Sequence, residues 1–121
     1  MAIPVLICDD SSFARKQMAR ALPKDWDTEI TYAANGEEAL TAIRAGKGEV
    51  TFLDLTMPVM DGYAVLETIR KEDLPTVTIV VSGDVQPEAL ARVQKLGAIE
   101  FIKKPIDPDK TRTVLTQYGL L

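Results

Sequence analysis

Asp9-Asp10 follows the apolar run Ile3 to Cys8, Asp54 follows Val50 to Leu53, Ser82 follows Thr76 to Val81, and Lys103-Lys104-Pro105 follows Ile99 to Ile102. Three carboxylates brought within a few ångströms of one another repel, and a fold tolerates them when a cation shares the site or a pKa rises. An all-oxygen ligand set without nitrogen or sulfur selects a hard ion. A few carboxylates that leave room for water and phosphate oxygens suit Mg2+ better than calcium. A carboxylate can itself accept a phosphoryl group as nucleophile when metal and cations neutralise the equatorial oxygens. In that chemistry Asp54 is the nucleophile and Lys104 and Ser82 contact the phosphoryl oxygens. The sequence contains no histidine, so the usual general base, the usual zinc ligand and any phosphohistidine of its own are absent.

Each piece has a plainer role when taken alone. Asp10 with Ser11 and Ser12 can cap a helix; Asp54 can open a turn, Ser82 can satisfy loop backbone, and Lys104 is one of fourteen basic residues. These roles leave unexplained why all five polar residues fall at the same end of successive strands.

The elements that place them are read from periodicity. Short β-branched runs at Ile3–Cys8, Glu29–Ala33, Val50–Leu53, Thr76–Val81 and Ile99–Ile102 predict five strands. Helical spacing links Ala14, Met18, Ala21 and Leu22, then Ala39, Leu40 and Ile43, then Val65, Leu66 and Ile69, then Leu90, Val93 and Gly97. Asn35 with Glu38 reads as a capping box, and Pro87 and Pro108 suit first-turn positions, the latter behind a capping Asp107. Pro23, Gly46 and Gly97 punctuate helix exits. Regular alternation with nearly all-apolar strands calls for a doubly wound α/β fold, a parallel sheet with helices on both faces. Such sheets bind ligands at the carboxyl ends of their strands, where these polar residues gather.

Composition bounds the rest. A chain of 121 residues with 46% apolar and 26% charged content is expected to form one domain, residues 1–121, with a core that needs no disulfide. The single cysteine, Cys8, lies in an apolar run and reads as core. A net charge of −4 opposes a nucleic-acid surface. No apolar stretch reaches membrane length and no targeting leader is visible, so a cytoplasmic protein without a membrane partner is expected.

Leu6-Ile7-Cys8-Asp9-Asp10-Ser11 resembles the acidic-pair strand of the response-regulator receiver family, whose best-known single-domain member is CheY. Phe52-Leu53-Asp54-Leu55-Thr56-Met57-Pro58-Val59-Met60-Asp61-Gly62 resembles its phosphorylation segment, a specific signal extended by Tyr63. Val80-Val81-Ser82-Gly83 is similar to the switch-hydroxyl strand, and Phe101-Ile102-Lys103-Lys104-Pro105 to the segment ending in the family's lysine and proline. The resemblance covers the whole chain and implies five strands in the order 2-1-3-4-5 with five helices; CheY is itself a stock example of that order.

The resemblance further implies a two-component phosphorelay switch. A sensor histidine kinase supplies the phosphoryl group, Asp10 and Asp54 contact Mg2+ directly, Asp9 acts through bound water, and Thr56 lends its backbone carbonyl. Gly83 stays small so that its backbone N–H can approach the phosphoryl group. Thr56 and Asp84 tune the acyl-phosphate lifetime. Ser82 and Phe101 form the switch pair, Lys104-Pro105 is cis, and helix 4, strand 5 and helix 5 present the surface to a downstream protein or an attached output domain. Phenylalanine at 101, where many members carry tyrosine, has no hydroxyl for a partner. The β1–α1 segment through Lys16 looks more like chemotaxis-type and other stand-alone receivers than like those joined to DNA-binding domains.

Three other classes fit less well. A dehalogenase-type phosphatase needs an acid two residues after its nucleophile, where Asp9 is followed by Ser11 and Asp54 by Thr56. A flavin-binding loop would meet repulsion from Asp9-Asp10. A phosphate loop of the Gly-x-x-x-x-Gly-Lys type is absent. A receiver fold acting only as an unphosphorylated interaction module is the remaining alternative.

Overall fold

The computed structural model describes residues 2–121. Strand and helix alternate as β1 (Ile3–Cys8), α1 (Ser12–Ala21), β2 (Thr28–Ala33), α2 (Gly36–Arg44), β3 (Val50–Leu53), α3 (Gly62–Glu72), β4 (Val77–Ser82), α4 (Pro87–Lys95), β5 (Glu100–Lys103) and α5 (Pro108–Gln117). All strand pairs are parallel, in the order β2-β1-β3-β4-β5. Strands with both faces covered should be apolar throughout, and β3 is buried at all four positions.

The two-residue side-chain period of the strands divides the core into two layers. Leu6, Cys8, Leu53 and Val80 point to one face, where Leu40 and Ile43 of α2, Val65 and Leu66 of α3, and Val93 of α4 cover them. Val5, Ile7, Phe52, Ile79 and Val81 point to the other, beneath Met18 of α1 and Val114 and Leu115 of α5. A one-residue slip in β3 or β4 would exchange these sets, so burial on both faces enforces register. Leu66 is 1% exposed in the middle of the first layer. Leu66→Ala is therefore expected to destabilise by about 2–5 kcal/mol, seen as a lower urea midpoint with an unchanged m-value.

Side-chain caps fix the helix starts that lead out of the site. Ser11, and not Asp10, caps α1, its Oγ accepting from Ala14 N–H at 3.2 Å. Asp61 caps α3 and Asp107 caps α5. At α2, Asn35 accepts from Glu38 N–H at 2.9 Å, while Glu38 reaches back one residue further than the usual box, to Ala34 N–H at 2.8 Å. The indole of Trp26 donates to Leu120 O at 2.9 Å, tying the α1–β2 loop to the end of the chain.

The structure differs from the periodicity in detail. β2 starts one residue early, and β4 and β5 lie one residue later than expected, because pairing to the neighbouring strand sets their limits. Leu90 is exposed, and Ala89 with Val93 forms the inner face of α4. α4 ends at Lys95, with Gly97 beyond it at positive φ in the exit loop.

Candidate functional site

The residue following each of β1, β3 and β5 extends the ladder by one hydrogen bond. Asp9 N–H donates to Ala33 O at 3.1 Å, Asp54 N–H to Cys8 O at 3.0 Å, and Lys104 N–H to Ser82 O at 2.9 Å. This main-chain pairing holds the three side chains at one rim of the sheet, even though they are far apart in sequence.

Asp9 and Asp54 are 1% and 5% exposed, while Asp10 is open to solvent. One carboxylate oxygen from each of the three lies within 4.8 Å of the others. Lys104 Nζ reaches across to Asp9 Oδ2 at 2.8 Å and Asp54 Oδ1 at 3.2 Å. The other Asp9 oxygen accepts from Ser11 N–H at 2.9 Å. No hydrogen bond from the described residues engages the Asp10 carboxylate. The donor set is entirely carboxylate, of one sign and only partly balanced by one ammonium, which fits a small hard divalent cation.

Electrostatics follow from this crowding. Burial, and then the charge of Asp9, hold the Asp54 carboxyl above the usual range, against the lowering influence of Lys104 and of Leu55 N–H. Burial works to lower Lys104, but its hydrogen bond to Asp9 and the charges of Asp54 and Asp9 outweigh that and raise it. Beneath the site, burial and the nearby acids push the Cys8 thiol up to about 12, which leaves it protonated and inert. Lys104→Met should raise the Asp54 pKa further, read from a carboxyl-carbon NMR titration. An acid with a raised folded pKa contributes stability below its ordinary range and loses it as pH rises through the folded value. The variant should thus fall progressively behind the parent in thermal stability from about pH 4 upward.

The remaining expected residues take distinct places. Ser82 is buried, and its Oγ accepts from Asp84 N–H at 3.1 Å, while Asp84 Oδ1 accepts from Gln86 N–H at 3.1 Å. Phe101 is half-buried against the α2–α3 layer. Thr56 is exposed in the β3–α3 loop, and the Lys104-Pro105 bond is cis. A Cβ at Gly83 would meet nothing within 4 Å of it, so no protein atom demands glycine there.

Further contacts surround the site, and those of Arg15 and Arg92 carried no sequence signal. Arg15 Nη1 donates to Asp9 O at 2.8 Å. The Arg92 guanidinium lies 3.9 Å from the Tyr63 ring centroid, joining α3 to α4. Gly62 is pressed against the backbone of the phosphoacceptor candidate, its N–H donating to Leu55 O at 3.0 Å. A groove of about 540 Å³ lies between α4 and the β5–α5 edge, lined by Leu90, Val93, Phe101, Lys103, Lys110 and Tyr118 among others. No helix among the described residues is long and apolar enough to cross a membrane.

A five-stranded doubly wound sheet with an acidic cluster and a lysine at its carboxyl rim defines a CheY-like class of protein. The chain belongs to the response regulator receiver domain family, whose model matches residues 5–116. It is 36% identical over 104 residues to a protein-glutamate methylesterase/protein-glutamine glutaminase of Geobacter sulfurreducens, covering 85% of this chain and 28% of that protein. It thus spans less than a third of that curated relative's length. Among solved structures, the receiver domain of the response regulator NarL from Mycobacterium tuberculosis superposes with a TM-score of 0.86 at 28% identity, covering 98% of this chain and 97% of that one. A chain of the CheX-CheY-BeF3-Mg+2 complex from Borrelia burgdorferi gives 0.84 at 32% identity, covering 94% and 87%.

Proposed function

We propose that this receiver domain, taken as one unit over residues 1–121, is a signalling switch that accepts a phosphoryl group on Asp54 from a sensor histidine kinase. The observation that carries this reading is the meeting of Asp9, Asp10 and Asp54 oxygens within 4.8 Å beside Lys104. Asp10, Asp54 and the Thr56 carbonyl would hold Mg2+, with Asp9 behind a water. That division is supported by the full engagement of both Asp9 oxygens and the freedom of Asp10. The cation supplies charge neutralisation around the phosphoryl oxygens.

Asp54 then attacks phosphorus with one carboxylate oxygen as the donor nitrogen departs, and Lys104 binds an equatorial oxygen. Ser82 would leave the Asp84 N–H and turn to another phosphoryl oxygen, freeing space for Phe101 to rotate inward. Thr56 and Asp84 would tune the acyl-phosphate lifetime. The output surface is the α4–β5–α5 face, whose groove combines apolar side chains with Lys103 and Lys110. Likeness to methylesterases and to CheY proteins supports a place in chemotaxis and a cytoplasmic address, and the partner is a downstream protein or an attached output module.

The test is incubation with acetyl phosphate, with and without magnesium, followed by intact mass. One phosphoryl group per chain in magnesium alone is the expected result. No adduct, with no amide shifts at Ser82 and Phe101 on adding beryllofluoride, would leave the unphosphorylated interaction module as the function.

A further inference from the structure

The β3–α3 loop holds an unfavourable conformation that its own residues do not explain. Val59 has φ 69° and is 76% exposed, and Met60 N–H donates to Pro58 O at 2.8 Å across it, a three-residue turn. A β-branched residue in the left-handed region is strained, and such strain persists only where the surroundings over-determine it.

The determining contact comes from α2. Met60 O accepts from Gly36 N–H at 3.2 Å, and Met60 packs on the layer formed by α2 and α3. A Cβ on Gly36 would fall 2.6 Å from that oxygen and 2.8 Å from Met60 Cβ and Cγ. Only a residue without a side chain lets the loop seat here. The loop is pinned a second time at Gly62 N–H to Leu55 O. Thr56 lies between the two pinned residues, Leu55 and Met60, just beyond Asp54.

We infer that Gly36 is a positioning residue for the phosphoryl-transfer site: by seating Met60 it forces the turn at Val59 and fixes the loop that presents Thr56 to the cation. This rests on the metal site proposed above. Gly36 touches no reacting atom and acts through Met60.

Magnesium chloride alone is titrated into the protein, with affinity read from backbone amide shifts of Asp10, Asp54 and Thr56 and stability read separately from urea unfolding. Gly36→Ala should bind magnesium about tenfold more weakly, in the range seen when residues behind a ligand are altered. Met60→Ala, which creates no clash and so tests the same anchor if Gly36→Ala fails to fold, should weaken it in the same direction. Adding Val59→Gly to Gly36→Ala should return affinity toward the parent value, since glycine lets the turn relax around the new methyl group. Unchanged affinity in the single variants, whatever their urea midpoints, or no recovery in the double variant, would overturn the anchoring role. A parent protein with no magnesium-dependent shift would instead sink the metal site itself, and this inference with it.

Discussion

Asp54→Asn protein incubated with acetyl phosphate and magnesium is expected to show no phosphoryl adduct by intact mass, while the parent gains one. Asparagine nearly matches aspartate in shape, so the loss isolates the nucleophilic oxygen from the fold. The same substitution should raise the melting temperature at neutral pH in magnesium-free buffer. Burial and the neighbouring Asp9 disfavour the Asp54 carboxylate, and the contact with Lys104 only partly compensates. The sign follows from linkage: the folded state prefers protonated Asp54, so the parent loses stability as pH rises through the folded pKa. The advantage of asparagine should accordingly be small near pH 4 and grow toward neutrality. Magnesium should narrow it, because an ion bound to the native parent stabilises it by mass action and the variant lacks one ligand. A variant that still forms the adduct would place the phosphoryl group elsewhere. One that melts below the parent at every pH would show that the Lys104 contact outweighs the crowding.

Gly62→Ala should produce the second large effect, on both fold and site. A Cβ at this position would enter contact distance of Asp54 O and lie 2.8 Å from Leu55 Cα. Both are backbone atoms, so no rotamer change relieves them. Either α3 retreats, losing burial at Val65 and Leu66, or the Asp54–Leu55 segment shifts and breaks the bond from Gly62 N–H to Leu55 O. Overpacking of this kind costs about 1–3 kcal/mol, and more where only backbone can move. Urea unfolding should show the lost stability, and acetyl phosphate labelling should slow even at saturating magnesium, since the nucleophile itself is displaced. Parent-like stability together with parent-like labelling would show that the loop has slack that the close packing conceals.

Much of this molecule was legible from residue order. The five strands could be read because a parallel sheet covered on both faces needs unbroken apolar runs, and the helices because caps and prolines mark their starts. The strand order was not available from periodicity and came from likeness to a known family. Asp9-Asp10, Asp54, Ser82 and Lys104 could be read as one rim because βα alternation puts every strand end on the same side. The limits of β4 and β5 were off by one residue, and Leu90 was assigned inward, because pairing and neighbouring surfaces decide such details and periodicity only approximates them.

The sequence by itself determined the fold class and which side chains share an edge, since both follow from local pattern and the handedness of crossovers. Only the tertiary structure decided how the edge is wired: Lys104 bridging Asp9 and Asp54, Ser82 held by Asp84, Asp10 left free, and Gly36 and Gly62 clamping the loop between them. Apart from the local contact of Ser82 with Asp84, they join residues brought together from different elements, and their formation depends on ångström-scale distances between those elements. Such distances are set by the packing of two core layers and leave no periodic trace along the chain.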